Sequence, residues 1–192
     1  MGSKIQQAKA ARRKQVRAAL AAISPEQRKA DSARICARLR EQPVWKNARF
    51  VLMFAPLPTE PDLWPLLLEA ISSGKRVALP RFIRDIGEYA PFLIQDVGRD
   101  LVSGQLGIRE PGAHCPPLVP PTADLILVPG VAFDLTGHRL GRGKGFYDRL
   151  LKSIRGPKCG VAFDQQVVRE VPAEPHDVRL DYLLTPTRWV KF

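Results

Sequence analysis

The chain has 192 residues, 45% hydrophobic and 26% charged, with a formal net charge of +11. That length suits a single domain over 1–192, large enough to fold without a disulfide or structural metal. No run of about 18 apolar residues is present, which argues against a membrane-spanning helix. The charge favours anionic partners: nucleic acid, an anionic membrane surface, or phosphorylated and carboxylated metabolites. Residues 1–17 are basic and lack the apolar stretch of a secretory signal. Cys36, Cys115 and Cys159 are far apart and form no C-x-x-C pair. Together these features predict a reduced, cytoplasmic protein.

The first forty residues predict two helices. Val16, Leu20 and Ile23 make an apolar stripe at i, i+4, i+7. Ser24-Pro25-Glu26-Gln27 restarts the chain, with Ser24 as N-cap and Pro25 in the first helical position. The second helix then runs through Ile35 and Leu39 to about residue 40. Residues 49–55 are a short apolar run, read as a buried strand. A loop follows over 56–61. Asp62 caps a helix through Leu66, Leu67 and Ile71, closed by Gly74. A second strand covers 75–79. Strand, helix, strand at this spacing suits a right-handed parallel crossover.

The Pro- and Gly-rich middle, 80–121, yields only short strands around 89–94. The α/β pattern returns with a buried strand at 124–128, ending on Pro129-Gly130. A helix over about 146–154 and strands at 158–163 and 180–184 complete it. Alternating strands and helices predict an α/β fold with a mostly parallel sheet, with the helical pair at 4–40 packed on it. Ligands in such sheets bind beyond the carboxyl ends of the strands.

The densest chemical signal is G-H-R-L-G-R-G-K-G-F-Y-D at 137–148. Gly141, Gly143 and Gly145 alternate with Arg142 and Lys144. Such glycines let successive backbone N–H groups form an anion-binding concavity. Arg139, Arg142 and Lys144 add positive charge, and a helix begins immediately afterwards. The loop is neither a Walker A sequence nor G-x-G-x-x-G. Its composition favours a bound polyphosphate over a plain basic turn. Asp148 lies in the first helical turn, where complementing the helix dipole is its simplest role. Metal coordination beside phosphates is the alternative. Lys9 and Arg13, at i and i+4, share a basic helix face that spacing alone reads as solvated. Asp134 suits an Asx-type turn. His114 and His138 read as loop residues, and His176 has no assigned role.

The 137–148 motif, preceded by V-P-G-V-A-F-D at 128–134, resembles the signature of 5-formyltetrahydrofolate cyclo-ligases. K-x-x-x-R-K from Lys9, G-K-R-V-A-L-P-R from Gly74, and L-G-I-R-E-P at 106–111 resemble other stretches of that family. So do Val171-Pro172, His176-Asp177 and the ending L-D-Y-L-L-T-P at 180–186. The resemblance implies a three-layer α/β fold. It also implies ATP- and Mg²⁺-dependent conversion of 5-formyltetrahydrofolate, with or without a polyglutamate tail, to 5,10-methenyltetrahydrofolate. The formyl oxygen attacks the γ-phosphate, N10 attacks the activated carbon, and phosphate leaves.

By the same resemblance, Arg142 and Lys144 neutralise the transferring phosphoryl group. Lys9, Arg13, Arg139 and the stretch Leu140, Gly141, Arg142, Gly143, Lys144, Gly145, Phe146 and Tyr147 hold ATP. Ala55, Glu60, Arg142, Gly143, Lys144, Gly145 and Phe146 contact folate. Asp148 and Asp177 hold Mg²⁺. The chain departs from the family where Glu60-Pro61-Asp62-Leu63 stands in place of E-I-x-T. Neither a nucleic-acid nor a membrane partner is expected, and the protein is expected to be a monomer. Two rival readings remain: a basic nucleic-acid-binding protein, suggested by the charge, and a retargeted ATP- and folate-binding relative, suggested by that departure.

Overall fold

The computed structural model describes residues 4–104, 107–174 and 177–192. The chain opens with α1 (Lys4–Ala21) and α2 (Pro25–Glu41). Ser24 caps α2 as the sequence predicts: its side chain accepts from Gln27 N at 3.1 Å, with Pro25 in the first turn. A short helix α3 (Pro43–Lys46) then leads into β1 (Phe50–Leu52). Next come α4 (Trp64–Ser72), β2 (Arg76–Ile83) and β3 (Glu88–Ile94). Asp62 lies one place outside its expected cap position. Leu63 is the N-cap of α4, while Asp62 Oδ1 accepts from Trp64 N at 2.9 Å. Gly74 ends the α4 turn in the left-handed region, at φ 81°, as its glycine suggests.

A small helix α5 (Val97–Asp100) precedes a ribbon of β4 (Leu101–Ser103) and β5 (Arg109–Pro111). Then follow β6 (Leu125–Val128) and a second ribbon, β7 (Ala132–Phe133) with β8 (Arg139–Leu140). The chain finishes with α6 (Phe146–Ser153), β9 (Lys158–Val161), β10 (Tyr182–Leu184) and β11 (Trp189–Lys191).

Seven strands form the main sheet in the order β11-β10-β9-β6-β1-β2-β3. The five from β10 to β2 are mutually parallel, while β3 and β11 run antiparallel at the two edges. Strand β2 outruns its expected length, pairing with β3 from Val77 to Ile83. Beyond Ala78 it has left β1, so Pro80 can sit in it without removing a ladder hydrogen bond. The outer side of β3 is covered in part: Leu93 N donates to Pro116 O and Leu118 N to Pro91 O, both at 2.9 Å.

Side chains alternate across the sheet with period two. Val51, Met53, Val77, Leu79, Leu125, Leu127 and Val161 pack on one face against Val16, Leu20, Ile35, Leu39, Leu66 and Leu67 of α1, α2 and α4. Leu52, Ala78, Ile126, Val128 and Leu183 pack on the other, against Leu150, Leu151 and Ile154 of α6 and its end. The result is three layers: helices, sheet, helix. Fully buried leucines such as Leu39 and Leu66 each contribute about 1.5–3 kcal/mol.

The parallel strands leave β1 in both directions, to β2 on one side and to β6 on the other. That reversal opens a crevice at the carboxyl ends of β1 and β6, the position where open α/β sheets take ligands.

Candidate active site

Phe54 and Ala55 follow β1, and Pro129 and Gly130 follow β6; all four line a cavity of about 320 Å³. Gly130 is required by space. A Cβ there would lie 2.7 Å from Phe133 Cζ and 2.9 Å from Arg139 Cγ. The β7–β8 ribbon then delivers Arg139 to the cavity. Its turn is held by Asp134, whose Oδ1 accepts from Thr136 N at 2.9 Å, Thr136 Oγ1 at 2.7 Å and His138 N at 3.0 Å. Its Oδ2 accepts from Val171 N at 3.0 Å. Burial alone would raise the Asp134 carboxyl, but these hydrogen bonds outweigh it and hold it below its ordinary value. The turn role expected for Asp134 is met, and His138 is part of the same turn.

The glycine loop follows. Gly143 and Gly145 have φ of 109° and 67°, conformations that only glycine adopts without strain. Gly145 is also the N-cap of α6. Gly141, Arg142, Lys144, Gly145, Phe146, Tyr147 and Asp148 line the cavity together with Arg139, Ala55 and Glu60. Three cations and a helix start therefore converge on one wall, the arrangement a polyphosphate needs.

Two ion pairs cross this wall. Arg139 Nη2 meets Asp148 Oδ1 at 2.5 Å, with the arginine side chain only 2% exposed. Arg139 Nε is buried without a partner among the described residues. Arg142 Nη2 meets Glu60 Oε1 at 2.8 Å. Lys144 Nζ lies 5.7 Å from the centre of the Phe146 ring. Phe146 packs with Phe82 and Tyr89, ring centres 5.2 and 5.6 Å apart. Tyr89 and Tyr147 also line the cavity, giving it aromatic walls. Burial first, then the Glu60 and Tyr89 charges, push the Tyr147 phenol well above its ordinary value, so it stays protonated at neutral pH.

Five of the residues singled out from sequence do not line the cavity. Leu140 turns into the core, 2% exposed, leaving only its backbone near the loop. Gly143 lies under Arg13, and a Cβ on it would sit 3.5 Å from Arg13 Cζ. Arg13 Nε donates to Gly141 O at 2.8 Å, so the first helix braces the loop from behind. Lys9 is held between Glu174 Oε2 at 2.7 Å and Asp177 Oδ2 at 3.0 Å. Burial would lower the Lys9 ammonium, but the two carboxylates outweigh it and raise it. Asp177 also accepts from Glu174 N at 2.8 Å. Asp148 and Asp177 thus differ in placement: the first faces the cavity, the second is engaged with α1. His176 lies outside the described residues.

Asp148 suits a magnesium ion held beside phosphates. It is a partly exposed carboxylate on the cavity wall, and Arg139 engages only one of its oxygens. Among the described residues, one group of His, Cys and acidic side chains is close enough to share an ion: Asp100, His114 and Cys115. It is not on the cavity wall. Asp100 there is already met by Gln95 N, Asp96 N and the Arg99 guanidinium at 2.7–2.9 Å, which suits a structural turn.

The family departure after Glu60 turns away from the cavity. Leu63 is fully buried in the core and Pro61 is buried beside it. Sequence reasoning missed Leu57, Tyr89, Ile108 and Arg109 on the wall, and Glu174 against Lys9. Arg109 occupies the variable position of L-G-I-x-E-P, a signal that motif could have supplied. Tyr89 lay on the short strand read at 89–94, whose pattern carried no sign that it faces the site.

Comparison with known proteins agrees with this geometry. The model of the 5-formyltetrahydrofolate cyclo-ligase family matches residues 5–186. A 5-formyltetrahydrofolate cyclo-ligase of Mycolicibacterium smegmatis is 37% identical over 159 residues, covering 75% of this chain and 77% of the relative. One of Escherichia coli is 33% identical over 171 residues, covering 87% and 94%. The solution structure of Aquifex aeolicus 5,10-methenyltetrahydrofolate synthetase superimposes with a TM-score of 0.86 at 36% identity, over 95% of this chain and 92% of that one. The Mycoplasma pneumoniae synthetase shares the fold, with a TM-score of 0.67 at 24% identity over 93% and 98%. With a matched family model over nearly its whole length, and the glycine loop at the strand reversal, the chain belongs to the 5-formyltetrahydrofolate cyclo-ligase family.

Proposed function

We propose that this protein converts 5-formyltetrahydrofolate to 5,10-methenyltetrahydrofolate, using ATP and Mg²⁺ and releasing ADP and phosphate. The observation that carries this is one cavity combining a cationic glycine loop with a buried carboxylate, Glu60, and aromatic walls.

The chemistry needs a leaving group, since the formyl oxygen does not depart unaided. It attacks the γ-phosphorus, the bond to ADP breaks, and the oxygen becomes a phosphate ester. N10 then attacks the activated carbon, phosphate departs with the oxygen, and the N10 proton is released. Such transfer depends on positioning and charge neutralisation more than on a protein nucleophile. Backbone N–H groups of the loop and Arg139 hold the phosphates. Arg142 and Lys144 neutralise charge as the phosphoryl group moves. Arg13 fixes the loop through Gly141 O. Phe146 and Tyr89 offer flat apolar walls to the pterin, and Glu60 accepts from its N–H donors. Asp148 would hold Mg²⁺, which supplies further neutralisation of the phosphate oxygens. Lys9 and Asp177, paired with each other off the cavity wall, anchor α1, the helix that carries Arg13.

The core shared by α1, α2 and the sheet supports one domain over 1–192. The three free, buried thiols support a reducing, cytoplasmic setting.

The test follows absorbance at the methenyl-folate band with purified protein, 5-formyltetrahydrofolate, Mg²⁺ and ATP. ATP-dependent product, lost in Lys144→Ala, is the expected result. No product from folded protein that binds ATP overturns the assigned substrate.

A further inference from the structure

One ion pair joins the side of the cavity assigned to phosphate to the carboxylate assigned to the pterin. Arg142 Nη2 donates to Glu60 Oε1 at 2.8 Å, while Leu57 N donates to Glu60 Oε2 at 3.0 Å. The two partners differ sharply in exposure: 52% for the Arg142 side chain and 9% for Glu60. Arg142 can therefore leave for water or for a phosphate at little cost to itself. Glu60 cannot follow it. A buried carboxylate stripped of its cation is strongly unfavourable unless other donors replace the lost charge. Arg139, the other ion-paired arginine on the cavity wall, is 2% exposed and has no such freedom.

Resting on the proposed reaction, we propose that Glu60 is a positioning residue for Arg142 and couples the two substrates. It withholds Arg142 from the ATP phosphates until the N–H donors of a pterin take Arg142's place on the carboxylate. Folate binding then frees the cation at the moment a phosphoryl acceptor is present. ATP alone finds Arg142 occupied, which disfavours transfer to water. Because coupling free energies are reciprocal, ATP must tighten folate by the same factor that folate tightens ATP.

The experiment is calorimetric titration with a β,γ-imido ATP analogue and Mg²⁺, with and without saturating 5-formyltetrahydrofolate. In the wild type, folate should tighten the analogue on the order of tenfold. In Glu60→Gln, the analogue without folate should bind several-fold tighter than in the wild type. Folate, supplied at higher concentration, should then add less than about twofold. A merely structural role for Glu60 predicts the opposite sign, weaker analogue binding in the variant. Arg142→Ala provides a second route: the analogue should bind weakly in both states and coupling should vanish. Equal analogue affinity with and without folate in the wild type overturns the proposal. So does weaker analogue binding by folded Glu60→Gln, or coupling retained in Arg142→Ala. Methenyl product from the wild type is scored separately, so loss of coupling with product intact sinks this inference and leaves the reaction standing.

Discussion

The basic face of α1 and the glycine loop before α6 carry the same kind of charge, yet they stand differently toward the cavity. Arg142 and Lys144 of the loop, with Arg139 of β8 just before it, line the cavity wall. On α1, Lys9 is buried between Glu174 and Asp177, and Arg13 spends its Nε on the Gly141 carbonyl. One region presents charge; the other uses charge to hold the first in place. Spacing along a helix reveals which residues share a face, but the partners of that face arrive from far along the chain: Gly141 for Arg13, Glu174 and Asp177 for Lys9.

Substitutions should separate the two regions. Lys144→Ala should cost about 10²–10³-fold in turnover, since it removes charge stabilisation from the transferring group. Its melting temperature should barely move, because the side chain is exposed; a large loss of stability would erase the contrast. Lys9→Met should do the reverse. It leaves Glu174 and Asp177 facing each other without their cation, so unfolding in urea should show a loss of about 1–3 kcal/mol. The accompanying change should fall on the ATP KM, with less on kcat.

Leu63→Thr, which restores the residue usual in the family, should destabilise by about 1–3 kcal/mol by burying a hydroxyl in the core. The folate KM should stay unchanged, because Leu63 does not line the cavity. A folate KM that moves instead would mean the departure shapes the pterin wall.

Asp134→Asn should cost about 1–3 kcal/mol at neutral pH by weakening the turn that aims Arg139. The Asp134 carboxyl is held below its ordinary value in the folded state, so its contribution is complete above the unfolded carboxylate range, about pH 4. It is lost as the pH falls through the lower folded value. The gap between wild type and variant should therefore narrow in urea titrations run at acid pH.

The smallest effect concerns thiols. Burial pushes the Cys36 thiol up to about 11, and Cys159 is raised further by the same cause. Native protein at pH 8 should alkylate slowly, and denaturant should release all three cysteines.

The strands of the parallel sheet were legible because their residues are apolar without a break, as burial of both sheet faces requires: Leu125 and Leu127 on one face, Ile126 and Val128 on the other. The glycine loop was legible because only glycine permits the backbone that residues 143 and 145 adopt. The ribbons β4–β5 and β7–β8 were not, since segments such as Arg109–Pro111 and Arg139–Leu140 carry no such apolar run. Ion pairs such as Arg142 with Glu60, separated by 82 positions, depend on the strand order, which local pattern does not encode.

The covering of β3 has a consequence for colloidal behaviour. An uncovered edge strand is a template on which another chain can add a strand of its own. Here residues 116–118 already occupy backbone groups on either side of Phe92. Pro91, in β3 itself, further lacks an N–H group to offer on that side. A second copy therefore meets no open ladder along this stretch, and growth of the sheet into a fibril is blocked on the side that leads away from the cavity's parallel core.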